Sequence, residues 1–257
     1  MNNETEKKRR RGIYFLPNLF TTAGLFAGFY AIVAAMGGRY EAASIAIFVA
    51  MIMDGIDGRL ARITNTQSDF GAEYDSLSDM IAFGLAPALI VYVWSLSSLG
   101  KLGWLASFIY TAAAALRLAR FNTQVGTTDK GYFQGLASPA AAALIAGLVW
   151  LGAEHGIDGE SLSFLAFILT VFAGLLMVSN VRYRSFKDFD IKGKVPFVAI
   201  LMLVLVFAFI SINPPTILFT LAVIYMISGP LFTLLLLRKH RNERKMGASG
   251  NDEGADQ

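Results

Sequence analysis

Long apolar runs, cut by short polar or glycine- and proline-containing breaks, dominate the chain. Eight can be drawn, at about 17–36, 42–62, 78–97, 102–122, 138–154, 161–180, 195–212 and 216–237. A helix needs about 20 apolar residues to span a bilayer. The pattern therefore predicts an all-α, polytopic membrane helical bundle of about eight transmembrane helices. The last two runs are separated only by Asn213-Pro214-Pro215, a tight turn with two helix breakers. The runs at 42–62 and 102–122 have charged ends, so they are expected to be partly buried against other helices.

Charge orients these helices. With the N-terminus inside, the cytoplasmic segments hold Lys7 to Arg11, Arg59, Arg62, Arg117, Arg120, Lys130, Arg182, Arg184, Lys187, Lys192, Lys194 and the Lys and Arg residues of Arg238 to Lys245. That is 20 of the 22 Lys and Arg residues; only Arg39 and Lys101 fall outside. The loop around Glu154, His155, Asp158 and Glu160 is acidic, as suits the opposite side. This asymmetry predicts both termini in the cytoplasm of an inner-membrane protein and supports the count of eight.

Composition agrees, with 55% hydrophobic and 16% charged residues, far from a soluble domain. The absence of cysteine excludes disulfides and thiolate metal sites. The basic segment 1–12 precedes an apolar run, as in a signal peptide, but Met36-Gly37-Gly38-Arg39 is a poor cleavage site, so a retained first helix is expected. Residues 13–237 form one membrane domain. Residues 238–257 begin basic and end in a small, polar, acidic stretch expected to be disordered. The basic ends are expected to contact anionic lipid head groups and not nucleic acid. Trp94, Trp104 and Trp150, near span ends, read as interfacial anchors.

Four aspartates interrupt this apolar background. Asp54 and Asp57 are three residues apart, Asp75 and Asp79 four apart, so on helices each pair shares a face. Carboxylates at membrane depth are costly and usually functional. Four brought together repel one another, and divalent cations, which prefer oxygen ligands, relieve that repulsion. Paired metals can grip a diphosphate, polarise phosphorus and stabilise a leaving oxygen. One carboxylate can take a proton from an incoming hydroxyl, and Asp79 is assigned that role. Gly55, Gly58 and Gly71 remove side chains where a helix or ligand approaches. Arg62 suits a phosphate beside the metals. The competing reading pairs the carboxylates with Arg59 and Arg62 as salt bridges, or lines an ion pathway with them.

The segment resembles the motif of the CDP-alcohol phosphotransferase family, D-x2-D-G-x2-A-R-x8-G-x3-D-x3-D. It matches at every fixed position: Asp54, Asp57, Gly58, Ala61, Arg62, Gly71, Asp75 and Asp79. The resemblance implies transfer of a phosphate-linked group from a CDP-linked donor to an alcohol, with release of CMP. It implies that Asp54, Asp57 and Asp75 bind metals, two Mg²⁺ or Mn²⁺ ions, and that Asp79 completes the second site and acts as base. It places Gly58, Ala61, Arg62 and Gly71 at the cytidine and phosphates. Pro17-Asn18-Leu19-Phe20-Thr21 is similar to the family's P-N-x-x-T entry, which adds Asn18 and Thr21 to the CDP-diacylglycerol site; it also reads as a helix start. A homodimer is a further implication.

Two more segments resemble bacterial integral-membrane phosphatidylserine synthases within that family. One is Leu116 to Asn122 followed by Phe133 to Ala142, where Ala137 replaces a proline common in relatives; the other is Met177 to Lys187. They imply L-serine as acceptor. Serine carries a carboxylate, and its selection needs cationic and hydroxyl groups. Arg117, Arg120, Asn122, Ser138, Arg182 and Lys187 are the candidates for serine or donor phosphate. Ordinary positive-inside anchoring competes for the same basic residues. The rival functions are a sister transferase using glycerol 3-phosphate or inositol phosphate, and a cation transporter.

Overall fold

The computed structural model describes the backbone of residues 2–64, 66–123, 132–184 and 197–252. Side chains are described within 16–234, apart from Tyr132, Phe133, Arg182, Arg184, 197–200 and Leu203. Lys187 lies outside the described residues, as does the side chain of Arg182.

Helices α1 (Asn2–Met36) and α2 (Tyr40–Ile63) form a hairpin. Its turn needs Gly38, whose φ of 71° falls where side chains are disfavoured. Ala27, Ala31, Ala34 and Ala35 of α1 are buried, as are Ala43, Ala46 and Ala50 of α2. Small side chains let backbones come close, which is how helices associate in an apolar solvent.

α3 (Asp69–Asp79) begins at Ser68, whose Oγ accepts the Gly71 amide at 3.1 Å, an N-cap. The helix continues through a π-helical turn, Met80–Leu85, into α4 (Ala86–Trp94). Pro87 explains the wide turn. It has no N–H for the Phe83 carbonyl four residues back, and its ring would crowd that oxygen. The Ala86 amide reaches back to the Ile81 carbonyl. The freed Phe83 carbonyl accepts the buried Tyr110 hydroxyl of α5 (Lys101–Thr123) at 3.0 Å.

α6 (Ser138–Glu154) has Pro139 in its first turn. α7 (Ser163–Val178) packs on α5. Between these helices the all-α expectation meets its one exception among the described residues. β1 (Tyr132–Gln134) and β2 (Arg182–Arg184) pair antiparallel, with Phe133 opposite Tyr183. Gly135, with φ of 77°, turns the chain out of this ribbon. Its amide reaches the Val181 carbonyl at 2.8 Å, and the Leu136 amide reaches the Leu176 carbonyl at 3.0 Å. A Cβ on Gly135 would overlap the Met177 carbonyl.

α8 (Phe197–Ile212) and α9 (Pro214–Asp252) meet at Asn213, whose Oδ1 accepts the Thr216 amide at 3.2 Å. The helical backbone of α9 runs to Asp252, past the end of the apolar run and into the stretch expected to be disordered. No proline after Pro230 breaks it.

A helical segment stands at each of the eight apolar runs. Among the described residues, five are long and apolar enough to cross a membrane: Leu16–Met36, Asp69–Trp94, Lys101–Thr123, Gly159–Val178 and Pro214–Leu234. The other three fall short for different reasons. α2 carries Asp54, Asp57, Arg59 and Arg62 near its end, while α6 has 17 residues and α8 has 16. Large apolar side chains such as Phe26, Phe29, Phe164 and Phe207 are exposed, as suits surfaces facing acyl chains. Trp94, expected as an interfacial anchor, ends the Asp69–Trp94 segment. It is buried, over Gly152 and Gly159, where any side chain would overlap it.

Candidate active site

The aspartates lie on either side of the short connection from α2 to α3. Thr64 closes α2, its hydroxyl donating to the Leu60 carbonyl at 2.7 Å, and the Thr66 amide reaches the Ala61 carbonyl at 3.0 Å. The chain then re-enters a helix at the Ser68 cap. This tight return brings Asp54 and Asp57 against Asp75. One carboxylate oxygen from each lies within 4.8 Å of the others. Asp57 is buried, whereas Asp54 and Asp75 are half-buried. Asp79, one turn beyond Asp75, is within electrostatic reach of all three and of the Arg117 guanidinium.

This donor set fits a divalent ion. Three carboxylates in a partly dry site repel one another, and repulsion at that distance is far stronger there than in water. Oxygen-only ligands suit hard cations. The salt-bridge alternative has no counterpart: among the described residues, no ion pair ties these aspartates to Arg59 or Arg62. Arg62 turns its Nε to the Gly58 carbonyl at 2.9 Å.

α1 supports the cluster. Thr21, also buried, donates its hydroxyl to Asp57 Oδ2 at 2.6 Å. That bond holds the carboxylate in one orientation, as partners of metal ligands commonly do. Asn18 lies one turn earlier on α1, and a Cβ at Gly71 would stand 3.5 Å from its Oδ1. The residues assigned to the donor site from two distant segments are thus neighbours. Gly55 and Gly58 face open space, with nothing within 4 Å of an added Cβ. Helix packing therefore does not demand glycine at either position, which leaves room for a ligand. Ala61 is half-buried and Arg62 exposed at the end of α2.

The candidates for the acceptor diverge. Arg117 donates to Ser138 Oγ at 2.8 Å, and Ser138 is fully buried at the start of α6. The Nε of Arg117 is buried with no partner. Arg120 is committed elsewhere: it bonds Gln134 Oε1, Asn180 Oδ1 and the Val178 carbonyl, tying α5 to β1 and to the end of α7. Asn122 exchanges hydrogen bonds with Ser76 at 3.0 and 3.2 Å, joining α5 to α3 beside Asp75.

Four other residues join this region, of which only Tyr183 lies in a segment marked out by the sequence, Met177 to Lys187. Thr22 and Tyr74 share a hydrogen bond of 2.9 Å between α1 and α3. Tyr225 of α9 comes within electrostatic reach of Arg117. Tyr183 of β2 packs on Tyr225, with ring centroids 5.4 Å apart. Threonine and tyrosine are common enough in membrane helices that only a hydroxyl amid aliphatic residues could have drawn attention to the other three.

Comparison with known proteins adds a family. A family model described as CDP-alcohol phosphatidyltransferase matches residues 14–235. A Helicobacter pylori protein (strain ATCC 700392 / 26695) named CDP-diacylglycerol–serine O-phosphatidyltransferase is 39% identical over 229 residues, 88% of this chain and 94% of the relative. A Mycobacterium leprae protein of the same name is 30% identical over 236 residues, 90% of this chain and 78% of the relative. A Bacillus subtilis protein, again so named, is 31% identical over 173 residues, 67% of this chain and 92% of the relative.

Proposed function

The chain belongs to the CDP-alcohol phosphatidyltransferase family, and from that premise we propose that it transfers the phosphatidyl group of CDP-diacylglycerol to L-serine, giving phosphatidylserine and CMP. The observation that carries this reading is the convergence of Asp54, Asp57 and Asp75, at the family's motif spacing, on one small volume. The names of the relatives supply the acceptor.

Asp54, Asp57 and Asp75, with Asp79 beside them, would hold two divalent ions, Mg²⁺ or Mn²⁺. When bound, such ions neutralise the diphosphate and make CMP a better leaving group. The chain's own groups do the rest. Asp79 takes the proton from the serine hydroxyl. The serine oxygen forms a bond to the phosphorus that carries diacylglycerol, and the bond from that phosphorus to the CMP oxygen breaks. Thr21 keeps Asp57 oriented. The open faces at Gly55 and Gly58 accommodate the nucleotide and phosphates. Arg117, steadied by Ser138, offers its guanidinium to the serine carboxylate beside Asp79.

The membrane arrangement belongs to the same proposal. The positive-inside distribution supports eight spans, both termini in the cytoplasm of the inner membrane, and an active site opening to that side. Acyl chains would remain in the bilayer while serine arrives from water. Family resemblance supports a homodimer.

The test is CMP release by purified protein in liposomes. CDP-diacylglycerol and Mn²⁺ or Mg²⁺ are supplied with serine, glycerol 3-phosphate or inositol phosphate in parallel. Metal-dependent release with serine alone is expected. Release with a different acceptor would overturn the serine assignment while leaving the aspartate chemistry in place. No release with any acceptor from folded protein would reopen the transporter reading.

A further inference from the structure

Pro230 lies inside α9. Having no N–H, it leaves the Met226 carbonyl, four residues back, without its helical donor. The Tyr183 hydroxyl arrives from β2 and donates to that carbonyl at 2.9 Å. Tyr183 is only 1% exposed. Its ring occupies the space a side chain at residue 229 would need, since a Cβ on Gly229 would overlap it. Gly229 and Pro230 together thus make a notch that accepts one tyrosine: the first removes a side chain, the second removes a donor.

The notch adjoins the acceptor region. Tyr225 packs on Tyr183, tilted by 38°. Tyr225 lies within electrostatic reach of Arg117, which donates to Ser138 of α6 and is itself within electrostatic reach of Asp79. Arg120 anchors the other strand of the ribbon by bonding Gln134, and anchors the approach to β2 by bonding Asn180. Direct contacts run from the ribbon to α9, and α9 carries Tyr225 to within electrostatic reach of the guanidinium beside the base.

We propose that Tyr183 is a positioning residue for the acceptor: by bonding the Met226 carbonyl it locks α9, so that Tyr225 stands opposite Arg117 and shapes the pocket for the carboxylate of the incoming alcohol. This rests on the serine reading given above. It deepens that reading by assigning acceptor affinity to a residue that touches neither substrate.

The experiment uses the full chain in liposomes and measures the KM for serine and for CDP-diacylglycerol, kcat and the thermal midpoint. Wild type, Tyr183→Phe, Tyr225→Phe, the double variant and Gly229→Ala are compared. Loss of a buried hydrogen bond at the lock predicts a serine KM raised roughly tenfold and a lowered thermal midpoint in Tyr183→Phe, with the donor KM little changed. Gly229→Ala, which pushes the ring out but keeps both hydroxyls, is expected to shift the same parameter. The double variant is expected to be no worse than the worse single one, because the two residues act in series. An unchanged serine KM in Tyr183→Phe, with wild type active on serine, overturns this inference alone. Equal rises in both KM values, or additive effects in the double variant, also overturn it. Wild type that releases CMP only with an alcohol lacking a carboxylate overturns the serine reading and this inference with it.

Discussion

At the scale of single residues, the proposed chemistry rests on Thr21, Asp79 and Arg117. Thr21 reaches across from α1 to fix Asp57. Replacing it with valine keeps the volume and removes the donor. The Mn²⁺ concentration for half-maximal CMP release is then expected to rise roughly ten- to a hundredfold, measured as a metal titration of activity. Asp79 is the group proposed to take the proton. Asp79→Asn keeps the shape but cannot act as base, so turnover is expected to fall by about 100-fold or more while CDP-diacylglycerol binding largely persists. Measuring both in one preparation separates the base from a purely structural role, and retained serine incorporation would defeat the assignment. Arg117 and Arg120 show how little sequence spacing says about task. They sit three residues apart on α5, yet one turns to Ser138 and the other braces the ribbon.

At the scale of elements, proline and tyrosine work as pairs. Pro87 widens a helical turn directly after Asp79 and leaves the Phe83 carbonyl free, and Tyr110 takes it. Pro230 frees the Met226 carbonyl, and Tyr183 takes that. In a bilayer there is no water to satisfy an orphaned carbonyl, and at these two prolines a hydroxyl from another element takes its place. Tyr110→Phe removes one such hydroxyl without changing the ring. It is expected to cost about 1–3 kcal/mol, read as a lowered thermal midpoint in detergent. Its effect on CMP release at low temperature should be smaller than that of Asp79→Asn, since Tyr110 touches no aspartate. A midpoint equal to wild type would mean that another donor reaches Phe83.

At the scale of the whole molecule, the question is which side of the membrane the site faces. The chain has no cysteine, so single cysteines can be introduced against a silent background. Cysteine in place of Thr5 and in place of Ser249 is expected to react with an impermeant maleimide only from the cytoplasmic side. Cysteine in place of His155, in the turn after α6, is expected to react only from the opposite side. Labelling of His155→Cys and Thr5→Cys from the same side would remove a span between them and overturn the orientation. The helices that make the catalytic centre are also among those least like simple spans. α2 ends in two aspartates and two arginines, and α3 begins with a polar turn. Of these charges Asp57 is buried and Asp54 half-buried, while Arg59 and Arg62 are exposed.

Much of this was legible in the chain alone, because membrane helices are written in long apolar runs and costly charges within them stand out. Each of the eight runs became a helix, and the Asp54–Asp79 segment carries the family's spacing within 26 consecutive positions. Helical periodicity alone puts each aspartate pair on one face. Tertiary structure decided what periodicity cannot reach. The bond from Thr21 to Asp57 spans 36 residues, that from Tyr183 to Met226 spans 43, and that from Arg120 to Asn180 spans 60. None has a local pattern, since each depends on where helices cross. The short ribbon of β1 and β2 was hidden for the same reason: two three-residue strands have little preference of their own and pair only because α5 and α7 end side by side. Local chemistry therefore determined the helices and the acidic centre, and packing between distant helices determined which polar side chains serve it.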